Sequence, residues 1–231
     1  DYGMRAVFSI LVRAGALRQS LGDTWTEEWI VFSAILDVNL PKFNSADLPL
    51  FRGITTDLFP GVELPKPDYG ELIPEIVRQV TAAQLQPTEG FIGSIVQLYE
   101  TVQVRHGLMV VGSTMAGKSG VFNTLAKSMT SLDDFDNVKM HIMNPKSVSS
   151  NQLYGAFDAN THEWSDGILA ILYRTASKDH KDRNWVLFDG PVDAVWIENM
   201  NTVLDDNKKL CLVSGEIIKM SPTMTMMFEA E

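Results

Sequence analysis

Eight consecutive residues constrain this chain more than any other stretch. Gly112-Ser113-Thr114-Met115-Ala116-Gly117-Lys118-Ser119 matches the pattern G-x-x-x-x-G-K-[ST] in full. Glycines let the backbone curl until its N–H groups face a phosphate, and a loop that opens into a helix adds that helix's electropositive N-terminus. The pattern assigns Lys118 to the β- and γ-phosphates of a nucleotide and the Ser119 hydroxyl to Mg2+. A chance match in a chain this long is on the order of 1%. The setting narrows it further, because the apolar run Leu108 to Val111 leads in as a strand and Val121, Phe122 and Leu125 lead out as a helix.

A Mg2+ site of this kind takes a second anchor from an aspartate at the end of a buried strand. Trp185-Val186-Leu187-Phe188-Asp189 supplies one, and in a parallel sheet the carboxyl ends of the strands gather around the ligand. The plainer reading of Asp189 is a turn residue before Gly190-Pro191. The residue after the aspartate is where many nucleotide hydrolases carry a glutamate that orients the attacking water, and here it is Gly190. Lys118, Ser119 and Asp189 suffice to hold nucleotide and metal, while no general base follows. Glu198 reads as a solvated helix residue that could point back to the site. The residues alone therefore predict a nucleotide-binding module with slow or absent turnover and no catalytic residue.

The chain around the loop divides by texture. Met4, Val7, Phe8, Leu11 and Val12 recur at helical spacing, predicting an amphipathic helix over residues 2–17. Thr24-Trp25-Thr26-Glu27 fits a capping box, with Trp29, Ile30, Phe32, Ile35 and Leu36 as the buried face of a second helix. Residues 37–70 hold Pro41, Pro49, Pro60, Pro65 and Pro67 with Gly53 and Gly61, too many breakers for one regular element. Two more helical patterns follow, Ile73 to Leu85 and Thr88 to Val104. From Gly107 onward, apolar runs at 108–111, 138–143, 185–188 and 223–228 alternate with helical stretches near 118–129, 167–176 and 193–204. That alternation predicts parallel β-α units in a three-layer α/β sheet.

Charge excludes two classes of partner. Nineteen basic residues against 29 acidic ones give a net charge of -10, the wrong sign for a nucleic-acid footprint or for docking on an anionic membrane. No apolar run approaches the roughly 18 to 20 residues that span a bilayer. The single cysteine, Cys211, excludes an intrachain disulfide and fits a reducing compartment. The chain opens on Asp1 and carries no signal-peptide pattern, so its 231 residues read as an excerpt.

Other chemistry-bearing residues read plainly. His106, His141, His162 and His180 have no metal-ligand spacing among themselves or with Cys211. Met220, Met224, Met226 and Met227 read as an apolar strand face, and Lys178 to Arg183 as a solvated loop. Cys211 to Lys219, centred on Ser214-Gly215, reads as a hairpin.

Several blocks in order carry a family resemblance. They are Asp1 to Val7, Leu48-Pro49-Leu50-Phe51, Asp57 to Val62, Arg105 to Gly112, Asn144-Pro145-Lys146-Ser147, Gln152 to Gly155, Glu163 to Ile168, Phe188 to Asp193, and Leu204 to Lys208. Together they resemble the motor of dynein heavy chains, axonemal type, over nearly the whole chain. The resemblance implies a ring of AAA+ modules, with this chain running from the end of the first into the second. Residues 1–40 would then be part of the first module's helical small subdomain. Residues 41–87 would be a Pro/Gly-rich connection and helix, and 88–231 part of the second module's large α/β subdomain. Arg5, in Gly3-Met4-Arg5, would be a sensor-2 arginine serving the preceding module; alone it reads as a helix-surface arginine. The family's second module is understood to bind ATP structurally, which agrees with Gly190. The last strand runs into Glu229-Ala230-Glu231 without the asparagine that usually senses the γ-phosphate, and no fifth strand, arginine finger or second small subdomain follows.

The implied ligands are ATP or ADP with Mg2+, and the implied parent is a microtubule-dependent ATPase of the cytoplasm and cytoskeleton, in a cilium or flagellum axoneme, with the cytoplasmic form of the family as the alternative. Its partners would be neighbouring AAA+ modules, with intermediate and light chains and microtubules held by other parts of the parent. In such families, hairpins like 211–219 contact neighbouring parts. Two alternatives come from other classes: a standalone phosphotransferase, for which Asp179 to Arg183 is a poor lid, and a non-hydrolysing scaffold stabilised by its nucleotide.

Overall fold

The computed structural model describes residues 3–21, 25–40, 43, 46–62, 69–205 and 207–230, with the side chains of residues 5, 20, 21, 194 and 195 outside that set. It divides into two compact units, Asp1–Asp68 and Tyr69–Glu231.

The first unit is helical: α1 (Met4–Leu21), α2 (Glu27–Asn39) and α3 (Leu48–Leu58). The N-cap of α2 is Thr26, whose hydroxyl accepts from the Trp29 N–H at 3.3 Å. The cap is thus two residues later than the expected box, whose Thr24 lies outside the described residues. Of the expected face of α2, Ile30 and Phe32 are buried while Trp29, Ile35 and Leu36 are half-buried. Arg13 ties α1 to Asp37 at 2.8 Å, and Phe32 stacks on Phe59 at 5.0 Å. The apolar stripe of α1 forms as a stripe but stays exposed: Met4, Phe8, Leu11 and Val12 all face outward. Residues 37–70, read as breaker-rich, still hold α3, because Pro49 falls in its first turn, where a missing N–H is harmless.

The second unit begins with α4 (Leu72–Ala82) and α5 (Glu89–Val104), then β1 (Gly107–Val111), α6 (Lys118–Ser131) and β2 (Val138–Met143). There follow α7 (Ser150–Tyr154), β3 (Gly155–Phe157), β4 (Trp164–Asp166), α8 (Ile168–Lys178) and β5 (Arg183–Asp189). The unit ends with α9 (Ala194–Ile197), α10 (Asn201–Leu204), β6 (Lys209–Cys211), β7 (Ile217–Lys219) and β8 (Met224–Ala230). Four strands form one parallel sheet in the order β1-β8-β5-β2. Period-two alternation splits each central strand between two cores. Trp185, Leu187 and Met227 face the layer of α4, α5 and α6; Val186, Phe188, Met224, Met226 and Phe228 face the layer of α8 and the segments after it. The result is a three-layer α/β fold around a parallel sheet, as the alternating runs predict. The expected single apolar face of Met220, Met224, Met226 and Met227 does not form: Met220 precedes β8, and Met224 and Met226 face one core while Met227 faces the other, because β8 is central and buried on both sides.

The stripe Leu72, Ile76 and Val80 is buried against this second core, so α4 packs within the α/β unit. The expected helix over 193–204 is broken into α9, a 3-10 turn at Glu198–Met200, and α10. Two antiparallel hairpins, β3-β4 and β6-β7, stand beside α8. Arg174 of α8 holds both: its guanidinium donates to Asp166 at 2.9 and 3.1 Å and to Glu216 at 3.0 and 2.6 Å. Gly155 and Gly167 cross so closely that a Cβ on Gly167 would stand 2.3 Å from the Leu153 carbonyl oxygen.

The 178–183 run is more structured than its mixed charges suggest. Lys139 pairs with Asp179 at 2.8 Å and Asp182 at 2.7 Å, and the Thr223 hydroxyl donates to the Asp179 carbonyl. The Lys139 ammonium holds the Asp179 carboxyl well below the ordinary carboxylate range, and Arg174 lowers Asp166 and Glu216 in the same way. A carboxylate whose folded pKa is depressed stabilises the fold fully above its unfolded pKa of about 4, and that stabilisation is lost as pH falls below it. The urea midpoint of the chain is therefore expected to drop between about pH 6 and about pH 3, and Lys139→Ala to shrink that drop; equal midpoints would contradict the assignment.

Candidate functional site

The site lies at the carboxyl ends of the parallel strands. The Gly112 N–H donates to the Ala230 carbonyl at 3.2 Å, adding one rung between β1 and β8 before the chain leaves the sheet. The Ala116 N–H then closes a turn onto the Ser113 carbonyl at 3.1 Å. Met115, fully exposed at the tip, has φ 66°, and Gly117 has φ 88°. A left-handed residue that is not glycine is an uncommon, strained conformation that concentrates at ligand-binding loops. Gly117 caps α6 without any side-chain hydrogen bond, leaving the first amides of that helix open to an anion. The Phe91 ring covers Gly120 closely, 3.4 Å from where a Cβ would stand.

Lys118 is buried, and its ammonium donates to the carbonyls of Gly112 and, at 3.1 Å, Ser113. The cation is thus held inside the loop it would serve. The Ser119 hydroxyl donates to both carboxylate oxygens of Glu229 at 3.1 Å. Glu229 is on β8, level with Asp189 on β5 and Val110 on β1. Two carboxylates therefore stand at neighbouring strand ends, with the Ser119 hydroxyl on the first turn of α6 bonded to one of them. These are hard oxygen donors, the set that suits Mg2+. Gly190 follows the exposed Asp189. A Cβ on Gly190 would be 2.9 Å from the Asn144 Oδ1, which accepts from the Lys146 N–H at 2.9 Å.

A family model described as the hydrolytic ATP binding site of the dynein motor region matches residues 1–119. The chain belongs to the dynein motor-region family. This dynein segment is 52% identical over 236 residues to dynein axonemal heavy chain 3 of Mus musculus, an overlap of 99% of the segment and 6% of that relative. It is 51% identical over 240 residues to dynein axonemal heavy chain 1 of Mus musculus, covering 100% of the segment and 6% of the relative. For dynein axonemal heavy chain 12 of Rattus norvegicus the figures are 49% over 235 residues, 99% and 8%. The segment spans less than a tenth of the length of these relatives.

The remaining sequence expectations sort by position. Arg5 lies in the first unit, and its side chain is outside the described set. Glu198 is exposed on the 3-10 turn. The His106 Nε2 faces the carbonyls of Val203 and Leu204, and His141 bonds Asn184 at 3.0 Å. Among the described residues no His, Cys, Asp or Glu group could hold a metal alone, and no helix is long and apolar enough to cross a membrane. Sequence reasoning missed Glu229 and Asn144 as residues of the site. The rule that selects Asp189, a carboxylate at the carboxyl end of a buried strand, selects Glu229 equally.

Proposed function

We propose that this chain is an ATP-binding AAA+ segment of a dynein heavy chain, a microtubule-based motor, and that its own site holds Mg-nucleotide with slow or no hydrolysis. The observation that carries the reading is the loop itself: a phosphate-shaped turn with Lys118 buried inside it, next to Ser119 and Asp189, and a glycine where an activating glutamate would stand. The backbone amides of Gly112, Ser113, Thr114, Met115, Ala116 and Gly117 would cradle the phosphates of ATP or ADP. Lys118 would bind the β- and γ-phosphates, and Ser119 and Asp189 would hold Mg2+, which when bound neutralises phosphate charge. With glycine at 190 in place of the activating glutamate, the bound nucleotide would serve the fold.

Residues 1–40 would belong to the small subdomain of the preceding module, with Arg5 its sensor-2 arginine, and 41–87 to the connection. Residues 88–231 would form the large subdomain of the next module. Neighbouring modules of the same heavy chain are then its direct partners, with intermediate and light chains and microtubules engaged elsewhere in the parent, in a ciliary or flagellar axoneme.

Nucleotide occupancy and single-turnover phosphate release, with Lys118→Ala as control, test the reading. Tight occupancy without turnover is expected; fast γ-phosphate cleavage that disappears in Glu198→Gln would overturn it. A companion prediction concerns Gly190. Gly190→Glu must push Asn144 off its hydrogen bond, at a cost of about 1 kcal/mol. Asn144→Ala removes the same hydrogen bond, so the urea midpoint of the double variant is expected to match that of Gly190→Glu and not the sum of the two losses.

A further inference from the structure

We propose that Glu229 makes nucleotide capture by the 112–119 loop dependent on a divalent cation, by fixing the Ser119 hydroxyl and by opposing any phosphate that arrives without its metal. The proposal rests on the nucleotide-site reading above and adds a residue that neither the loop motif nor the Asp189 strand assigns.

Glu229 accepts from the Ser119 Oγ with both carboxylate oxygens at 3.1 Å. A hydroxyl whose proton is engaged in this way has its oxygen lone pairs left for a cation. Position supplies the second argument. In sheet register Glu229 lies between Val110, two residues before the loop, and Asp189, so two carboxylates share adjacent strand ends. Lys118 is the cation that a phosphate meets in the loop, while the salt bridges among the described residues all lie away from Glu229.

A metal-free triphosphate entering the loop therefore meets two like charges at once. With a cation the same pair becomes attractive, because both carboxylates and the Ser119 oxygen are its natural donors. At the short separations of such a site, one like charge is worth roughly tenfold to a hundredfold in affinity.

The test titrates the 231-residue chain with ATP in excess EDTA, and with Mn2+ in the presence of ADP, the second read by the electron paramagnetic resonance of bound Mn2+. Wild type is expected to bind ATP poorly in EDTA. Glu229→Gln is expected to bind metal-free ATP about tenfold more tightly and Mn2+ about tenfold more weakly. Glu229→Asp keeps the charge but is a methylene short of Ser119, so it retains the discrimination against metal-free ATP and loses Mn2+ affinity. Should Glu229→Gln not fold, Glu229→Asp decides alone: weakened Mn2+ binding supports the assignment and unchanged binding overturns it. Both affinities of Glu229→Gln within twofold of wild type would also overturn it, while wild type still bound Mg-nucleotide. If wild type bound no Mg-nucleotide, or no better than Lys118→Ala, the nucleotide-site reading itself would fail.

Discussion

A Lys118→Ala chain is expected to lose nucleotide affinity by about a hundredfold or more while keeping its fold. The ammonium is buried in the loop and contacts only the carbonyls of Gly112 and Ser113. Those contacts sit where the phosphates would lie, so the lysine exchanges neutral acceptors for charged ones on binding. Truncating one partner of a desolvated charge pair costs roughly 2 to 5 kcal/mol, which corresponds to about thirtyfold to several thousandfold in Kd. Stability changes little, because both freed carbonyls belong to an open loop that water can reach. Calorimetric titration with ATP and ADP in Mg2+ measures the first effect and a urea midpoint the second. Lys118→Arg does not rescue binding, since a planar fork cannot occupy the space of a compact ammonium. Affinity within threefold of wild type in Lys118→Ala would remove the loop from consideration as the nucleotide site.

Gly167→Ala is expected to destabilise the second unit by about 3 kcal/mol or more, the upper range for overpacking. Conformation is not the reason. Gly167 precedes α8 with φ -83° and ψ 162°, angles any residue adopts. The added methyl would instead stand 2.3 Å from the Leu153 oxygen and 2.4 Å from the Gly155 nitrogen. Both are backbone atoms, so no rotamer change relieves the contact. Gly155 cannot withdraw either, because its φ of 102° is open to glycine alone and Trp164 packs over it. Gly93 in α5 is the matched control: nothing lies within 4 Å of its would-be Cβ. Gly93→Ala is expected to stabilise the same unit by about 0.5 to 1 kcal/mol. Urea unfolding of the two variants should move in opposite directions, and similar shifts would contradict the packing argument.

The contrast between those glycines marks where sequence reading stops. The loop, α6 and the four sheet strands were legible because each is encoded locally: a dense motif, a run of apolar residues, a helical stripe. Asp189 was legible as the polar end of such a run. The β3-β4 hairpin was not, since strands of three residues carry no period, and the breaks that split 194–204 leave its apolar spacing intact. The 178–183 run looked solvated because its cationic partner, Lys139, comes from β2 and enters only through the sheet. Glu229 needed the same step. Its contact with Ser119 exists because β8 lies between β1 and β5, an order that the strand patterns do not specify. The exposed stripe of α1 shows the converse failure, where a strong periodic signal predicts the helix correctly and says nothing of what lies against it.

The clamp at Arg174 has a mechanical consequence. One side chain on one helix grips an acidic residue from each hairpin, so neither hairpin can tilt away without breaking two charge-assisted hydrogen bonds. A pull at the tip of β6-β7 is therefore carried through Glu216 and the guanidinium into Asp166, and from there to the root of β3-β4 next to the crowded Gly167. The clamp thus couples the two hairpins through α8 in addition to the core burial of Leu210 and Ile218, and acid would remove that coupling by protonating its two carboxylates.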